Sequence, residues 1–270
     1  MSTAFGMLAL VCLWPAVQLL LLGSLSQDRA QELLYDDFRT AVASGTAPLG
    51  PVTPVGSPVA LVTAPSIGLE QVVVEGTASG DTLVGPGHLR STVLPGQEGT
   101  SVVLGRATTY GSPFASLTEL RAGDPIDVVV AQGTTRFTVL GVRRTGDPYP
   151  QPRPDGAARL TLVTAEGVGR LAALRPSQAV YVDAEAAEAL PAPPGLPTAV
   201  PEAEEVMAGD PAALPLLALC LALLLALTLA VVAARQRWSA AVVWVLACPL
   251  ALGLSWAATD VVMRLLPNVM

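Results

Sequence analysis

Two short stretches of the sequence carry the residues best placed to do chemistry. One is residues 100–114, TSVVLGRATTYGSPF, and the other is residues 160–166, LTLVTAE. Each begins as a β-branched, apolar run and breaks into polar residues, which is how a buried strand delivers side chains to a site at its end. Hydroxyl groups there are candidate nucleophiles, a carboxylate is a candidate base and a guanidinium is a candidate anion ligand. These polar candidates are Arg106, Thr108, Thr109, Tyr110, Thr164 and Glu166.

A hydroxyl nucleophile needs a nearby base, and the sequence contains one histidine, His88, in a Gly/Pro turn. A Thr–His site built on His88 is one interpretation. A loop residue that shapes a groove is the other, and we favour it. Glu166 is likewise more typical of a solvated carboxylate at a strand end than of a base, and Tyr110 is more typical of a packing residue than of a ligand-stacking one.

The three cysteines, Cys12, Cys220 and Cys248, all lie in apolar segments near the two ends of the sequence. The part between those segments therefore has no disulfide, no thiolate metal site and no cysteine nucleophile. We expect no metal and no cofactor.

The composition predicts a membrane protein with an acidic soluble part. Of the 270 residues 51% are hydrophobic, and they are concentrated at the two ends, which favours spans that flank a soluble domain. Between Ser26 and Pro211 there are 12 arginines against 21 Asp and Glu residues, a net charge of −9. This charge argues against nucleic acid or anionic lipid headgroups as the main partner.

Three segments are predicted to cross a membrane: residues 4–25, 212–234 and 239–259. No basic residue precedes the first and no good cleavage site follows it, so we interpret it as an uncleaved signal anchor. Arg235 and Arg237 lie in the short loop between the other two, and the positive-inside rule places that loop in the cytoplasm. The predicted topology is multi-pass, with a cytoplasmic N-terminus and an extracytoplasmic domain between the first and second spans.

Two linkers are predicted beside the domain. Residues 26–58 read as a stalk and linker, and a short amphipathic helix is the less favoured interpretation of their first part. Residues 185–211 are rich in Pro and Ala and read as a flexible linker. We interpret their acidic cluster, Glu202, Glu204 and Glu205, as solvated rather than as a cation site.

Residues 59–184 are predicted to form one folded domain, mainly β. Their apolar runs are short, rich in Val and separated by Gly, Pro and Asp turns, which favours a β-barrel or a β-sandwich. The candidate strands are residues 59–62, 69–75, 101–104, 126–131, 134–142, 159–164 and 178–182.

Several motifs in this domain resemble the sortase family, most closely its actinobacterial class E-like members. The first stretch resembles the sortase segment that runs strand, Gly-His, then Thr-Thr-Tyr-Gly, and the second resembles the sortase strand that ends Thr-Cys. Residues 67–76 (IGLEQVVVEG), 85–88 (GPGH), 94–96 (LPG) and 113–123 extend the similarity over about residues 64–182. The resemblance implies a small closed β-barrel whose nucleophile and histidine lie at strand ends, around a groove for an extended sorting peptide.

The chemistry that the resemblance implies needs a thiolate, a histidine and an arginine. Matching the shared residues puts Arg106 at the histidine position, Ala165 at the cysteine position and Ala179 at the arginine position. Alanine has neither nucleophile nor donor, and arginine stays protonated, so the sequence predicts a sortase with its chemistry removed. For Arg106 we favour a salt bridge to a surface carboxylate. The alternative is a guanidinium that grips a carboxylate or a peptide C-terminus in the groove.

The predicted function is therefore that of a membrane-anchored, extracytoplasmic pseudo-sortase. It would bind an extended peptide, a cell-wall precursor or a surface protein without cutting it, and an active sortase is a further partner to consider. The sequence sets no oligomeric state. The candidate groove residues are His88, Arg106, Thr108, Thr109, Tyr110, Thr164 and Glu166.

Two other functions compete with this one. The first is a divergent transpeptidase or hydrolase with a non-cysteine nucleophile, Thr164, served by His88. The second is a membrane scaffold that acts through the C-terminal hairpin of spans. The small residues Ala218, Ala222, Ala226 and Ala230 recur there at a spacing of four, which permits close helix contact.

Overall fold

Eight short strands form the central unit of this computed structural model, which describes Trp14, Gln18 and residues 23–50, 52–167 and 176–270. In chain order the strands are β1 Pro58–Ala64, β2 Leu69–Glu75, β3 Gly87–His88, β4 Gly99–Leu104, β5 Pro125–Val130, β6 Gly133–Arg144, β7 Ala158–Gly167 and β8 Pro176–Ala186.

The strands close into a barrel in the order β1-β2-β3-β4-β7-β8-β6-β5. Two neighbouring pairs, β2 with β3 and β4 with β7, are parallel, and the other described pairs are antiparallel. Of the two predicted architectures, the closed barrel is therefore confirmed. All seven candidate strands overlap observed ones. Strand β3 was not predicted, because two residues carry no periodicity.

Alternate side chains of the strands fill the barrel. Ile126 and Val128 of β5, Phe137 of β6 and Leu160 of β7 have no exposed surface. Burying side chains of this size stabilises the fold by roughly 1.5–3 kcal/mol each.

The loop after β4 is fitted closely to this core at Gly105. A Cβ atom added there would lie 2.3 Å from the ring of Phe114, which is itself fully buried. The ring therefore packs where a side chain would otherwise be.

Replacing Gly105 with alanine is expected to destabilise the barrel by about 1–3 kcal/mol, because the buried ring and the backbone must both move. The measurement is the midpoint of thermal unfolding of the full chain in detergent. Gly141→Ala is the matched control, since an added Cβ there meets no atom within 4 Å. Equal midpoints for the two variants would contradict the expectation.

Helix α1, Gly23–Ser44, is attached to the barrel. The side chain of Gln31 donates to the carbonyl oxygens of Val72, at 3.1 Å, and Val84, at 2.9 Å, and accepts from the Val72 N–H at 2.7 Å. Gln27 Nε2 donates to Gln71 Oε1 at 2.7 Å. The first part of the predicted stalk is thus a helix held against β2 by amide side chains.

Two further helices, α2 Leu214–Ala234 and α3 Ala240–Leu265, follow the barrel as an antiparallel pair. The helical stretches Pro211–Ala234 and Ala240–Leu265 are each long and apolar enough to cross a membrane. The predicted first span, residues 4–25, lies outside the described residues except for Trp14, Gln18 and residues 23–25. Of these, Gln18 Nε2 donates to Asp260 Oδ1 of α3 at 3.0 Å, and the Trp14 and Trp256 rings lie 6.1 Å apart.

The two helices pack through a face that the alanine spacing did not indicate. The α2 residues buried against α3 are Cys220, Leu224 and Val231, whereas the alanines at 218, 222, 226 and 230 are exposed. Small residues do allow a close approach, but they belong to α3, as Ala247, Ala251 and Ala258.

The segment between β8 and α2 folds back over the barrel. The Leu190 N–H donates to Gly96 O at 2.8 Å, and Leu190 O accepts from the Glu98 N–H at 2.8 Å. Glu204 is 4% exposed and pairs with Arg90, whose Nε donates to Glu204 Oε2 at 3.0 Å. The interpretation of the acidic cluster as solvated is therefore wrong for Glu204.

Candidate functional site

The ends of three neighbouring strands bring Arg106, Ala165 and Ala179 together. Strands β4 and β7 are parallel, with Leu104 opposite Val163, so Arg106 lies two residues further along, level with Ala165. Strand β8 then places Ala179 directly opposite Ala165. Directly opposed residues share a face of the sheet, so the two alanines lie side by side. We call these three residues the strand-end site.

Arg106 is fully buried, and each of its five N–H groups has an acceptor. Nε donates to Thr82 O at 3.2 Å, and Nη1 donates to Thr109 Oγ1 at 3.1 Å and to Met270 O at 3.5 Å. Nη2 donates to the carbonyl oxygen and the hydroxyl of Ser79, at 2.7 and 2.9 Å. None of these five acceptors is a side-chain carboxylate, so the favoured interpretation of a surface salt bridge is wrong.

Arg106 and Tyr110 are both protonated at neutral pH. Burial lowers the pKa of Arg106 to about 10, with Tyr110 opposing the shift, so the guanidinium is still charged at neutral pH. Burial first, and then a hydrogen bond to Asp260, raise the pKa of Tyr110, whose hydroxyl donates to Asp260 Oδ1 at 2.7 Å. Neither side chain can accept a proton at neutral pH.

Residues 266–270, which follow α3, lie across the strand-end site, and we call them the covering segment. Val269 has no exposed surface and packs in one cluster with Ala165 and Ala179. The cluster also contains Leu104 and Val163 of the strands that carry the site. The two alanines thus form the floor beneath Val269.

The main chain of the covering segment is held by the loop that follows β4 and by Thr82. The main-chain oxygens of residues 268, 269 and 270 accept from Thr82 Oγ1 at 2.9 Å, the Ala107 N–H at 3.1 Å and Thr109 Oγ1 at 2.7 Å, respectively. Each of the three consecutive oxygens therefore has a donor from the barrel and its loops.

Asp81 and the Arg90–Glu204 pair lie beside Thr82. Burial first, and then repulsion from Glu204, raise the pKa of Asp81, while Arg90 and Arg264 oppose the shift. Asp81 is therefore ionised at some cost to the folded state.

Replacing Asp81 with asparagine is expected to raise the midpoint of thermal unfolding at neutral pH. Because the folded state raises the pKa of this carboxyl above its ordinary value of 3.8, the folded chain binds the proton more tightly than the unfolded chain does. This contribution to stability is fully present below 3.8 and is lost as pH rises through the folded pKa. The amide of Asp81→Asn does not ionise, so the variant should not show this loss. Midpoints measured at a series of pH values, with the exposed Asp155→Asn as control, check this. Parallel curves for wild type and Asp81→Asn would contradict it.

The family to which this barrel belongs follows from its sequence. A family model described as the sortase domain matches residues 62–187. After this match we call residues 62–187 the sortase domain. The match confirms the resemblance proposed from the motifs and extends a few residues beyond it at both ends.

Several solved sortase structures are similar to the sortase domain. The sortase D5 transpeptidase of Clostridium perfringens is 18% identical, with a TM-score of 0.46 over 60% of this chain and 99% of that chain. Sortase A from Corynebacterium diphtheriae is 18% identical, with a TM-score of 0.42 over 61% and 86%. A point mutant of sortase E from Streptomyces avermitilis is 26% identical, with a TM-score of 0.42 over 57% and 100%. No curated protein sequence matches the chain.

His88 of the sortase domain is occupied by structural contacts. Its Nδ1 lies 2.9 Å from Glu75 Oε2, and its Nε2 lies 2.9 Å from Val93 O. Thr164 Oγ1 is buried and has no hydrogen-bond partner in the described part of the chain, so it is not bonded to His88. The structure therefore does not bring this pair together as a nucleophile and its base.

The remaining candidates divide by exposure. Thr108 is exposed and Glu166 is half-buried, whereas Thr109 and Tyr110 are buried beneath the covering segment and α3. Glu166 accepts from Arg144 Nε at 2.8 Å, and this contact lowers the pKa of Glu166. Within the described residues, no group of three or more His, Cys, Asp or Glu side chains is arranged to hold a metal ion.

Sequence reasoning missed the covering segment and the buried pair of Arg90 with Glu204. Both depend on chain segments that are more than 100 residues apart. In the sequence, residues 267–270 carry no charged side chain and follow Arg264 at the end of the last predicted span. Four residues are too few to predict a helix or a strand from their pattern.

Proposed function

We propose that this chain is a membrane-anchored sortase-fold protein without catalytic activity, which binds a peptide or protein partner during the attachment of proteins to the cell surface. The observation that carries the proposal is the composition of the strand-end site. Alanines occupy the positions that the family resemblance assigns to the nucleophile and the oxyanion donor. A buried guanidinium with all five N–H groups bonded occupies the position assigned to the acid–base histidine. Acyl transfer to an enzyme needs a nucleophile and a proton acceptor, and none of the three described residues of this site can be either.

We further propose that the sortase domain lies outside the cytoplasm, between an N-terminal anchor and the α2–α3 hairpin. The basic loop at Arg235 and Arg237 would then face the cytoplasm. Two crossings would return the chain to its starting side, and contacts of the covering segment with the sortase domain support that arrangement. The domain and the covering segment are then both extracytoplasmic.

The purified full chain, incubated with a threonine-containing sorting-type peptide and an amine acceptor, is expected to form neither a thioester nor an amide product above the protein-free background. Mass spectrometry of the chain and of the peptide is the measurement, and an active sortase run in parallel shows that the assay works. A covalent peptide adduct on the wild-type chain, or a transpeptidation product, would end the proposal.

Partner binding can be tested with a crosslinker placed beside the strand-end site. Thr108 is exposed there, and Leu140, on β6, is 43% exposed and serves as a control. A photo-crosslinking amino acid placed at Thr108 is expected to capture a surface protein or an active sortase in cells, and one placed at Leu140 is not. Identical adducts from the two positions would remove the support for recognition beside this site.

The scaffold function remains a second candidate because the alanine stripe of α2 faces away from α3 and is exposed. Replacing Ala222 and Ala226 with leucine would block close contact of another helix with that stripe. If the hairpin were the docking surface, this double variant would lose partner capture while the barrel remained folded. Under the leading proposal, capture is unchanged.

A further inference from the structure

The covering segment contacts the strand-end site in the manner of a bound peptide. Three successive main-chain oxygens are bonded to three donors of the barrel and its loops, and one branched apolar side chain, Val269, fills the floor formed by Ala165 and Ala179. The segment is a turn, in which the Met270 N–H donates to Pro267 O at 3.1 Å. Bonds to the main chain combined with a pocket for one side chain are a usual way in which proteins recognise a peptide.

Asn268 sets the register of this contact. Its Nδ2 donates to the carbonyl oxygens of Thr77, at 2.7 Å, and Glu205, at 2.9 Å, and its N–H donates to Ala208 O at 2.9 Å. The side chain has no exposed surface, and this is the single asparagine of the sequence. Moving the segment by one residue would leave the Thr77 and Glu205 carbonyls without this donor.

The walls of the site are polar, unlike the interior of the barrel. Ser79 Oγ lies 2.8 Å from both Met263 O and Leu266 O and shares its one hydrogen between them, and Thr82, Arg106 and Thr109 supply the other side-chain donors. Water can solvate hydroxyl and guanidinium groups once a peptide leaves, whereas the apolar core of the barrel would lose far more on exposure. The segment can therefore separate from the site while the barrel stays folded.

We propose that the covering segment is a built-in peptide ligand that holds the strand-end site closed. On its release the same site takes a peptide turn of the same chemistry, with an amide side chain followed by a branched apolar one. This inference rests on the proposed function for its biological use, since it identifies what keeps the partner site closed and which class of peptide it accepts. The closure itself is tested without any partner or turnover.

The experiment measures the reactivity of a thiol placed at the floor of the site. In the full chain in detergent, Cys12, Cys220 and Cys248 are replaced with alanine, and Ala165→Cys is the reporter. A charged methanethiosulfonate reagent is expected to modify it at least about 50-fold more slowly than Leu140→Cys, because reaction waits for the segment to open. Asn268→Asp, which turns a donor into an acceptor facing two carbonyl oxygens, is expected to raise the reporter's rate by at least about 10-fold.

Controls separate opening from unfolding. Gln151→Glu makes the same amide-to-carboxylate change at an exposed position and is expected to leave the reporter's rate unchanged. Val128→Cys, inside the barrel, has to stay unreactive in every variant, which shows that the barrel is folded. A chain lacking residues 266–270 is expected to expose the reporter fully, and a synthetic peptide of residues 264–270 is expected to protect it again.

The outcomes decide the inference independently of catalysis. Slow reaction of the wild-type reporter, acceleration by Asn268→Asp and protection by the added peptide together support it. A wild-type reporter that reacts as fast as Leu140→Cys would overturn it, as would a folded, shortened chain that the peptide does not protect. If the chain proved to be an active transpeptidase, the proposed function would fail while these rates could still show closure by residues 266–270.

Discussion

Replacing Arg106 with alanine is expected to lower the free energy of unfolding of the full chain by about 3–5 kcal/mol. The change leaves a cavity where the largest fully buried side chain had been, and it removes five hydrogen bonds. The carbonyl of Thr82 loses its guanidinium donor while it stays buried. Relief of the desolvated charge offsets part of this loss, because burial already disfavours the charged form. The free-energy cost of the cavity and of the unpaired carbonyl oxygens is expected to exceed the free energy gained by removing the buried charge.

Two further variants separate these contributions. Arg106→Met fills most of the volume without supplying donors or charge, so it is expected to lose less than half as much stability as Arg106→Ala. Arg136→Ala removes an arginine from an exposed pair with Asp127 on the outside of the barrel, and its midpoint is expected to stay at the wild-type value. If Arg106→Ala unfolded at the same temperature as Arg136→Ala in detergent, the buried network would contribute nothing to stability.

The hydrogen bonds of Arg106 give this residue a structural role in the fold. It joins the loop that contains Ser79 and Thr82 to the covering segment through donors on one planar group. A neutral histidine offers one donor and one acceptor and could not bond to all of these oxygens. The guanidinium thus stabilises the closed site, whatever partner the site later accepts.

The strands of the sortase domain could be predicted because their signal is local. Runs such as residues 126–131 and 134–142 are Val-rich and are separated by a short turn, and they appear as the antiparallel pair β5 and β6. Strand β3 could not be predicted, since Gly87 and His88 become a strand only by pairing with β2 and β4. The sequence analysis favours a stalk over helix α1 for a similar reason. Gln27 and Gln31 attach this helix to the barrel through amide hydrogen bonds, and a hydrophobic pattern does not reveal such bonds.

The position of the candidate site could be predicted, but the covering segment that lies over it could not. Arg106 and Ala165 were placed by motifs within the strands that carry them, and parallel pairing of β4 with β7 brings those strand ends together. Val269 reaches the same place only because α3 ends beside the barrel, where Asp210 N–H donates to Arg264 O at 2.7 Å. Likewise, a segment rich in Pro, Ala and Glu is typical of a linker, and the burial of Glu204 depends on Arg90, which is 114 residues away.

Replacing His88 with leucine is expected to destabilise the full chain by about 3–5 kcal/mol, because it leaves the Glu75 carboxylate buried without a partner. Both side chains are 1% exposed. The ring nitrogens lie 2.9 Å from Glu75 Oε2 and 2.9 Å from Val93 O, so both nitrogens are engaged inside the fold. The two side chains thus form a buried polar contact between β2 and β3.

Glu75→Leu alone should be similarly costly, because it leaves a buried ring nitrogen without its partner. The double variant Glu75→Leu/His88→Leu should be less destabilised than the sum of the two by at least about 2 kcal/mol. Thermal and denaturant unfolding in detergent give the three values, and Glu166→Gln, which weakens a half-exposed pair with Arg144, is the control. Additive losses from the two single changes would mean that the ring and the carboxylate stabilise the barrel separately. A coupling energy between the two changes would instead show that His88 has a structural role. Its two ring nitrogens contact Glu75 of β2 and the carbonyl oxygen of Val93. Neither nitrogen is then free to accept a proton from Thr164, to which His88 is not bonded.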